Sequence, residues 1–321
     1  MTGFGHWQQR IGSQRDWVWR GWQTRYTYLR ADLDDNQHSS TPLILLHGFG
    51  ASIEHWRKNF PDLSRQHTVY ALDLLGFGAS QKAPVEYNSQ LWLEQVYDFW
   101  RTFIQQPVVL VGNSIGSLIC LAAAATYPEM VKGVVLLSLP DVTLRQETIP
   151  KPLQPLVMGI ERTVASPPVL KLLFRLLRTR RVIRRWAAIA YANSTAIDPE
   201  LVEILATPAQ DRGASRTFAA LFRAISSPNF APGVKVLLPH LSIPILLIWG
   251  RQDRMVPSSL AHQFAALNSQ VQLVELDNVG HCPHDECPEQ FNQILLAWLQ
   301  AQFPVTRETE PDLVVTTTPD F

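Results

Sequence analysis

Long uninterrupted apolar runs are missing from this chain, so no membrane-spanning helix is expected. Net charge is missing too: 28 Lys and Arg balance 28 Asp and Glu. That balance makes no electrostatic case for nucleic acid, and no nucleic-acid partner is expected. Cysteine is scarce. Cys120, Cys282 and Cys287 form an odd set and no disulfide framework, which suits a reducing compartment and predicts unpaired thiols. The opening residues M-T-G-F-G-H-W-Q-Q-R lack the apolar centre of a secretory signal, so a cytoplasmic location is expected. There is no internal repeat.

What is present is the material for a large core: 321 residues, 46% of them hydrophobic, enough for one big domain or a domain with an insertion. The chain is organised around V-L-V-G-N-S-I-G-S, residues 109–117. Pro107 to Val111 reads as a buried strand, Gly112 to Gly116 as a G-x-S-x-G turn, and Leu118 to Ala125 as a small-residue helix. Strand, sharp turn and helix place Ser114 on strained backbone with its hydroxyl in the open. Gly112 and Gly116 are needed because side chains there would collide where strand and helix cross, and Ser117 keeps that crossing narrow.

Around that turn, strands alternate with helices. Residues 1–15 are polar and are expected to be flexible and poorly packed. Trp17 to Leu29 alternates and turns at Gly21, the pattern of two antiparallel edge strands. Further strands are predicted at Pro42–Leu46, Thr68–Leu72, Val131–Leu139, Ile243–Trp249 and Val271–Leu276. Helices are predicted at Leu91–Ile104, Ser259–Leu267 and Pro288–Gln302. This rhythm predicts an α/β fold with a mostly parallel central sheet and helices on both faces, built from residues 16–139 and 241–303. Residues 140–240 break the rhythm with prolines and helical stretches and read as an inserted helical cap. The tail, 304–321, carries prolines, threonines and acids and is expected to be disordered.

A serine hydroxyl is a weak nucleophile at neutral pH. It needs a base to take its proton, and the base needs an acid to hold its tautomer. Three candidates leave the same edge of the sheet: Ser114, Asp253 in G-R-Q-D-R-M-V-P, and His281 in D-N-V-G-H-C-P-H-D-E. At the end of the Pro42–Leu46 strand, His47-Gly48-Phe49-Gly50 leaves backbone N–H groups free to face a cleft. Rivals stay open, Asp141 for the acid and His284 for the base. His47 reads as a structural hydrogen-bonder, and Asp73, at a strand end, as a group that bonds loop backbone or as a possible acid. H-C-P-H-D-E-C (281–287) crowds potential metal ligands together, but its spacing matches no usual zinc pattern. Neither a metal nor a cofactor is expected.

Taken as a set, H-G-F-G (47–50), D-x-x-G-x-G-x-S (73–80), G-N-S-I-G-S (112–117), G-x-x-D-x-x-V-P (250–257) and G-H-x-P-H-x-E-x-P (280–288) resemble the α/β-hydrolase superfamily. The resemblance implies Ser114 as nucleophile, His281 as base, Asp253 as its partner, and the N–H groups of Phe49 and Ile115 as an oxyanion hole. Serine at 114 argues against dehalogenase and epoxide hydrolase chemistry, which need a carboxylate there. Asn113 stands where the family commonly has histidine, and Ser117 where it commonly has a further glycine. A narrower resemblance rests on P-L-I-L-L-H-G-F-G-A-S-I-E-H-W-R-K-N-F, V-G-N-S-I-G-S and V-K-G-V-V-L-L. These are similar to the cyanobacterial and chloroplast branch that includes pheophytinase and chlorophyll-dephytylase-like proteins. That branch implies a phytyl-type ester and peripheral attachment to a thylakoid membrane.

Acids are absent between Glu161 and Asp198, whereas Lys171, Arg175, Arg178, Arg180, Arg181, Arg184 and Arg185 interleave with leucines. Two readings of the segment 170–186 stay open. It is a surface helix that meets an anionic membrane, or a cap helix whose leucines cover the site and whose arginines are solvated or paired. The expected activity is hydrolysis of a carboxylic ester, small or lipid-like, through a Ser-His-Asp triad and an acyl-enzyme. The alternatives are other triad chemistry (C–C bond hydrolysis, cofactor-free haloperoxidation, acyl transfer) and a non-catalytic or peripheral membrane binding module. Oligomeric state is left open.

Overall fold

Among the described residues eight stretches pair as strands: β1 (Arg15–Trp19), β2 (Trp22–Leu29), β3 (Leu43–Leu46), β4 (Val69–Leu72), β5 (Val108–Asn113), β6 (Val131–Leu137), β7 (Ile245–Gly250) and β8 (Val271–Leu276). They form one sheet in the order β1-β2-β4-β3-β5-β6-β7-β8. β1 pairs antiparallel with β2, and β2 with β4; the remaining pairings are parallel. The structure, a computed structural model, describes residues 6–32, 41–142, 167–225, 227 and 230–304. Its helices in chain order are α1 (His6–Arg10), α2 (Phe60–Leu63), α3 (Ser89–Phe103), α4 (Ile115–Thr126), α5 (Pro167–Leu177), α6 (Arg180–Ala190), α7 (Pro199–Ala206), α8 (Ala214–Ile225), α9 (Val234–Leu237), α10 (Ser259–Ala265), α11 (Pro283–Glu286) and α12 (Pro288–Gln302).

Side chains alternate across a strand, so each apolar run feeds both faces of the sheet. Ile44, Leu46, Leu110, Leu136 and Leu247 enter one core with Trp92 and Phe99 of α3 and Ile119 of α4. Leu43, Leu45, Val109, Val111 and Ile248 enter a second core, closed by Phe291, Leu295 and Leu299 of α12. This is why β3, β5 and β7 read as unbroken apolar runs: both of their faces are buried.

The described residues between β6 and β7 form helices and short helical turns, without a strand. Phe174 of α5 packs on Phe218 of α8, ring centroids 4.9 Å apart. Residues 143–166 of the expected cap, and the expected tail from 305 on, lie outside the described residues. Among the described residues no helix is long and apolar enough to cross a membrane.

The expectation of a loose segment over residues 1–15 is corrected from His6 onward. That stretch forms α1, then buries Ile11 completely in the second core. Thr27 Oγ1 donates to the Ile11 carbonyl at 2.6 Å, and Arg10 reaches Glu200 at 2.6 Å. The stretch is short and mostly polar, and Ile11 finds its core partners far along the chain, so the local pattern concealed it.

Candidate active site

Where β5 turns into α4, Ser114 has φ 55° and ψ −116°. That is the left-handed region, strained for a residue with a side chain. The crossing of strand and helix imposes it. A Cβ on Gly116 would lie 2.3 Å from the Leu46 carbonyl oxygen, and one on Gly112 would lie 2.4 Å from Gly116 backbone. Ser117 holds the crossing with hydrogen bonds: its hydroxyl donates to the Gly112 carbonyl at 2.6 Å and accepts the Leu137 N–H at 2.9 Å. The turn after β3 borders the serine, since a Cβ on Gly48 would stand 3.5 Å from the Ser114 Cβ. The Phe49 N–H in that turn has no acceptor among the described residues. Ile115 heads α4, where a helix leaves its first N–H groups without an internal acceptor. Such groups can hold a developing negative charge on oxygen.

His281 and Asp253 come together from the loops after β8 and β7. His281 Nδ1 donates to Asp253 Oδ2 at 2.8 Å. The other carboxylate oxygen accepts the N–H groups of Met255 and Val256 at 2.8 and 2.9 Å. Asp253 is thus fixed from both sides, and the histidine keeps Nε2 as its free acceptor. Asn113, next to the serine, donates from Nδ2 to the His281 carbonyl at 2.9 Å. That bond ties the serine turn to the histidine loop, a role the sequence did not announce.

The rivals have other partners. His284 is fully buried against Trp56, ring centroids 4.2 Å apart. The carboxylate that meets His281 belongs to Asp253 and not to Asp141. His47 Nδ1 bonds the Gly48 carbonyl and its Nε2 accepts the Leu74 N–H. Asp73 accepts the N–H groups of Ile53 and Ala79 at 2.8 and 2.7 Å.

The α/β-hydrolase fold family matches residues 41–288. The chain belongs to the α/β-hydrolase superfamily. The hydrolase is 26% identical over 270 residues to the 2-hydroxy-6-oxo-6-(2'-aminophenyl)hexa-2,4-dienoic acid hydrolase of Metapseudomonas resinovorans, covering 83% of this chain and 86% of that one. It is 25% identical over 320 residues to the chloroplastic pheophytinase of Arabidopsis thaliana, covering 84% of this chain and 65% of that protein's length. A solved serine hydrolase involved in carbazole degradation (CarC enzyme) superposes with TM-score 0.72 at 23% identity, over 90% of the hydrolase and 99% of that chain.

In the hydrolase, the histidine loop is tied to the helices between β6 and β7. The His281 N–H donates to the Ala190 carbonyl at the end of α6, at 2.7 Å. A Cβ on Gly280 would lie 2.3 Å from that same oxygen, so the approach needs glycine. Glu286 clamps the junction: Oε1 accepts Gly280 and Cys282 N–H, and Oε2 accepts Ala192 and Asn193 N–H. Glu286→Gln turns two acceptor sites into donors that face N–H groups. Unfolding free energy is expected to fall by about 2 kcal/mol. Turnover should fall about tenfold as the histidine loop loosens. Urea unfolding and steady-state kinetics check both.

Beside the clamp lies a buried polar cluster. Tyr191 Oη donates to Asp285 Oδ2 at 2.8 Å, so its oxygen is free to accept His55 Nε2–H at 2.7 Å. His55 Nδ1 then accepts from His284 Nε2 at 3.3 Å, which makes the His55 ring neutral. Burial lowers His47 and His55 from 6.5 to about 4, and lowers His284 as well. Between those values the unfolded chain binds protons that the folded chain refuses. Stability from these groups is complete above 6.5 and is lost as pH falls toward 4, by about 1.4 kcal/mol per pH unit for each ring. Burial, followed by the nearby Glu54 carboxylate, raises Asp73 to about 8, which opposes one of these protons over the same window. The histidines outnumber it. The urea midpoint is therefore expected to drop between about pH 7 and about pH 5. A midpoint that holds or rises would contradict neutral buried rings.

Proposed function

We propose that this chain is a metal-independent serine hydrolase of a carboxylic ester. Ser114 attacks the ester carbonyl as His281 takes its proton. The tetrahedral oxyanion sits between the N–H groups of Phe49 and Ile115. His281, held in its tautomer by Asp253, passes the proton to the leaving alcohol. Water then cleaves the acyl-enzyme by the same steps in reverse roles, and releases the acid. The observation that carries this reading is the φ of 55° at Ser114, a conformation that persists only where the fold enforces it and that lifts the hydroxyl clear of strand and helix. Similarity to a pheophytinase supports an apolar, phytyl-type alcohol.

The similarity to a dienoic acid hydrolase favours C–C bond cleavage as the second reading. A panel separates them: short p-nitrophenyl esters, pheophytin, and a 2-hydroxy-6-oxo-dienoate, with fluorophosphonate labelling of Ser114 as the common readout. Preference for pheophytin supports the phytyl ester. Preference for the dienoate replaces ester cleavage by the second reading. A folded protein that neither labels nor turns over any of the three overturns both.

A further inference from the structure

The helices α5 and α6 carry an outward face that the proposed chemistry does not use. On α5, Leu170 and Phe174 are buried, and Phe174 is anchored on Phe218. Val169, Leu172, Leu173 and Leu176 follow the i, i+3, i+4, i+7 spacing of a second, exposed stripe, with Leu172 63% and Leu176 62% accessible. Lys171, Arg175 and Arg178 occupy a third stripe by the same spacing. On α6, Trp186 (52% accessible) and Ile189 are exposed beside Arg181, Arg184 and Arg185. Arg180 bonds Glu203 at 2.8 Å. The other basic residues of the two helices have no acidic partner among the described residues.

We propose that α5 and α6 dock flat on an anionic lipid bilayer. A solvated cap face accounts for the arginines but not for leucines exposed one turn apart. A mixed apolar and cationic face without acids is what the interfacial plane of an anionic membrane selects: the apolar stripe enters the acyl boundary and the guanidinium groups meet lipid phosphates. The face also adjoins the chemistry, because α6 ends at Ala190, whose carbonyl holds the His281 N–H. Docking would set the site against the bilayer, where apolar esters reside.

Flotation with phosphatidylcholine vesicles, with and without phosphatidylglycerol, tests this. Binding is expected only with the anionic lipid and should weaken with salt. Arg175→Gln, Arg178→Gln and Arg181→Gln together should weaken it on the order of a hundredfold, about fivefold per charge. Leu172→Ser with Leu176→Ser should weaken it by about tenfold or more. All five positions are exposed, and an unchanged circular-dichroism melting curve shows that the variants fold. Ser114→Ala should float like wild type, so this result stands apart from the fate of the triad. Equal binding to neutral vesicles, no binding to either, or full binding by both variants overturns the proposal.

Discussion

Ser114→Ala is expected to fold as the wild type does and to lose turnover by about a million-fold in kcat, the scale seen when an activated serine is removed elsewhere. Alanine keeps the Cβ and with it the left-handed backbone, so the strain and the turn remain while the nucleophile goes. Fluorophosphonate labelling should vanish with it. His281→Ala should lose a similar factor. The double variant should be no worse than either single one, because the parts of a triad work as one unit. Asp253→Asn keeps the shape of the acid and still accepts the N–H groups of Met255 and Val256 through one oxygen. Its amide, however, can face His281 Nδ1 with the wrong tautomer, and a loss of about ten-thousand-fold is expected. Losses in Ser114→Ala and His281→Ala that multiply in the double variant would mean that the two side chains act separately.

The positions of the proposed triad were legible for a local reason. Each of Ser114, Asp253 and His281 follows an apolar strand within a few residues and sits in a turn marked by glycine. In a parallel sheet, loops that follow strands share one edge. The central strands were legible because β3, β5 and β7 are buried on both faces and so read as apolar runs. The supports of the site were not legible. Asn113 read as a departure from the family pattern, yet its amide ties the serine turn to the His281 carbonyl, 168 positions away. Glu286 read as part of a metal-like cluster, yet it holds four N–H groups from two separate segments. Neither role leaves a periodic trace, because the partners are distant in sequence and the bonds run to backbone. Nothing in the local sequence marks Arg57 either, although its side chain is fully buried.

Arg57→Met is therefore expected to destabilise the fold by about 3–5 kcal/mol, far beyond what loss of a surface ion pair would do. Arg57 Nη1 bonds Asp285 Oδ1 at 2.8 Å with neither side chain accessible to solvent. Its Nε bonds Glu200 at the start of α7, and Glu200 also takes Arg10 of α1. One guanidinium thus joins the segment after β3, the histidine loop, the helices between β6 and β7, and the N-terminal helix. Burial alone would raise the Asp285 carboxyl, but the cationic groups around it, Arg57 and Lys58 among them, hold it below its ordinary value. Without Arg57, that carboxylate keeps Lys58 and the Tyr191 hydroxyl but loses its strongest buried partner. The double variant Arg57→Met, Asp285→Asn should regain part of the loss, since removing both charges is far less costly than stranding one. Urea unfolding of the two single variants and the double one measures this coupling. Additive losses would mean that Arg57 and Asp285 stabilise the fold independently, through packing and not through their mutual charge.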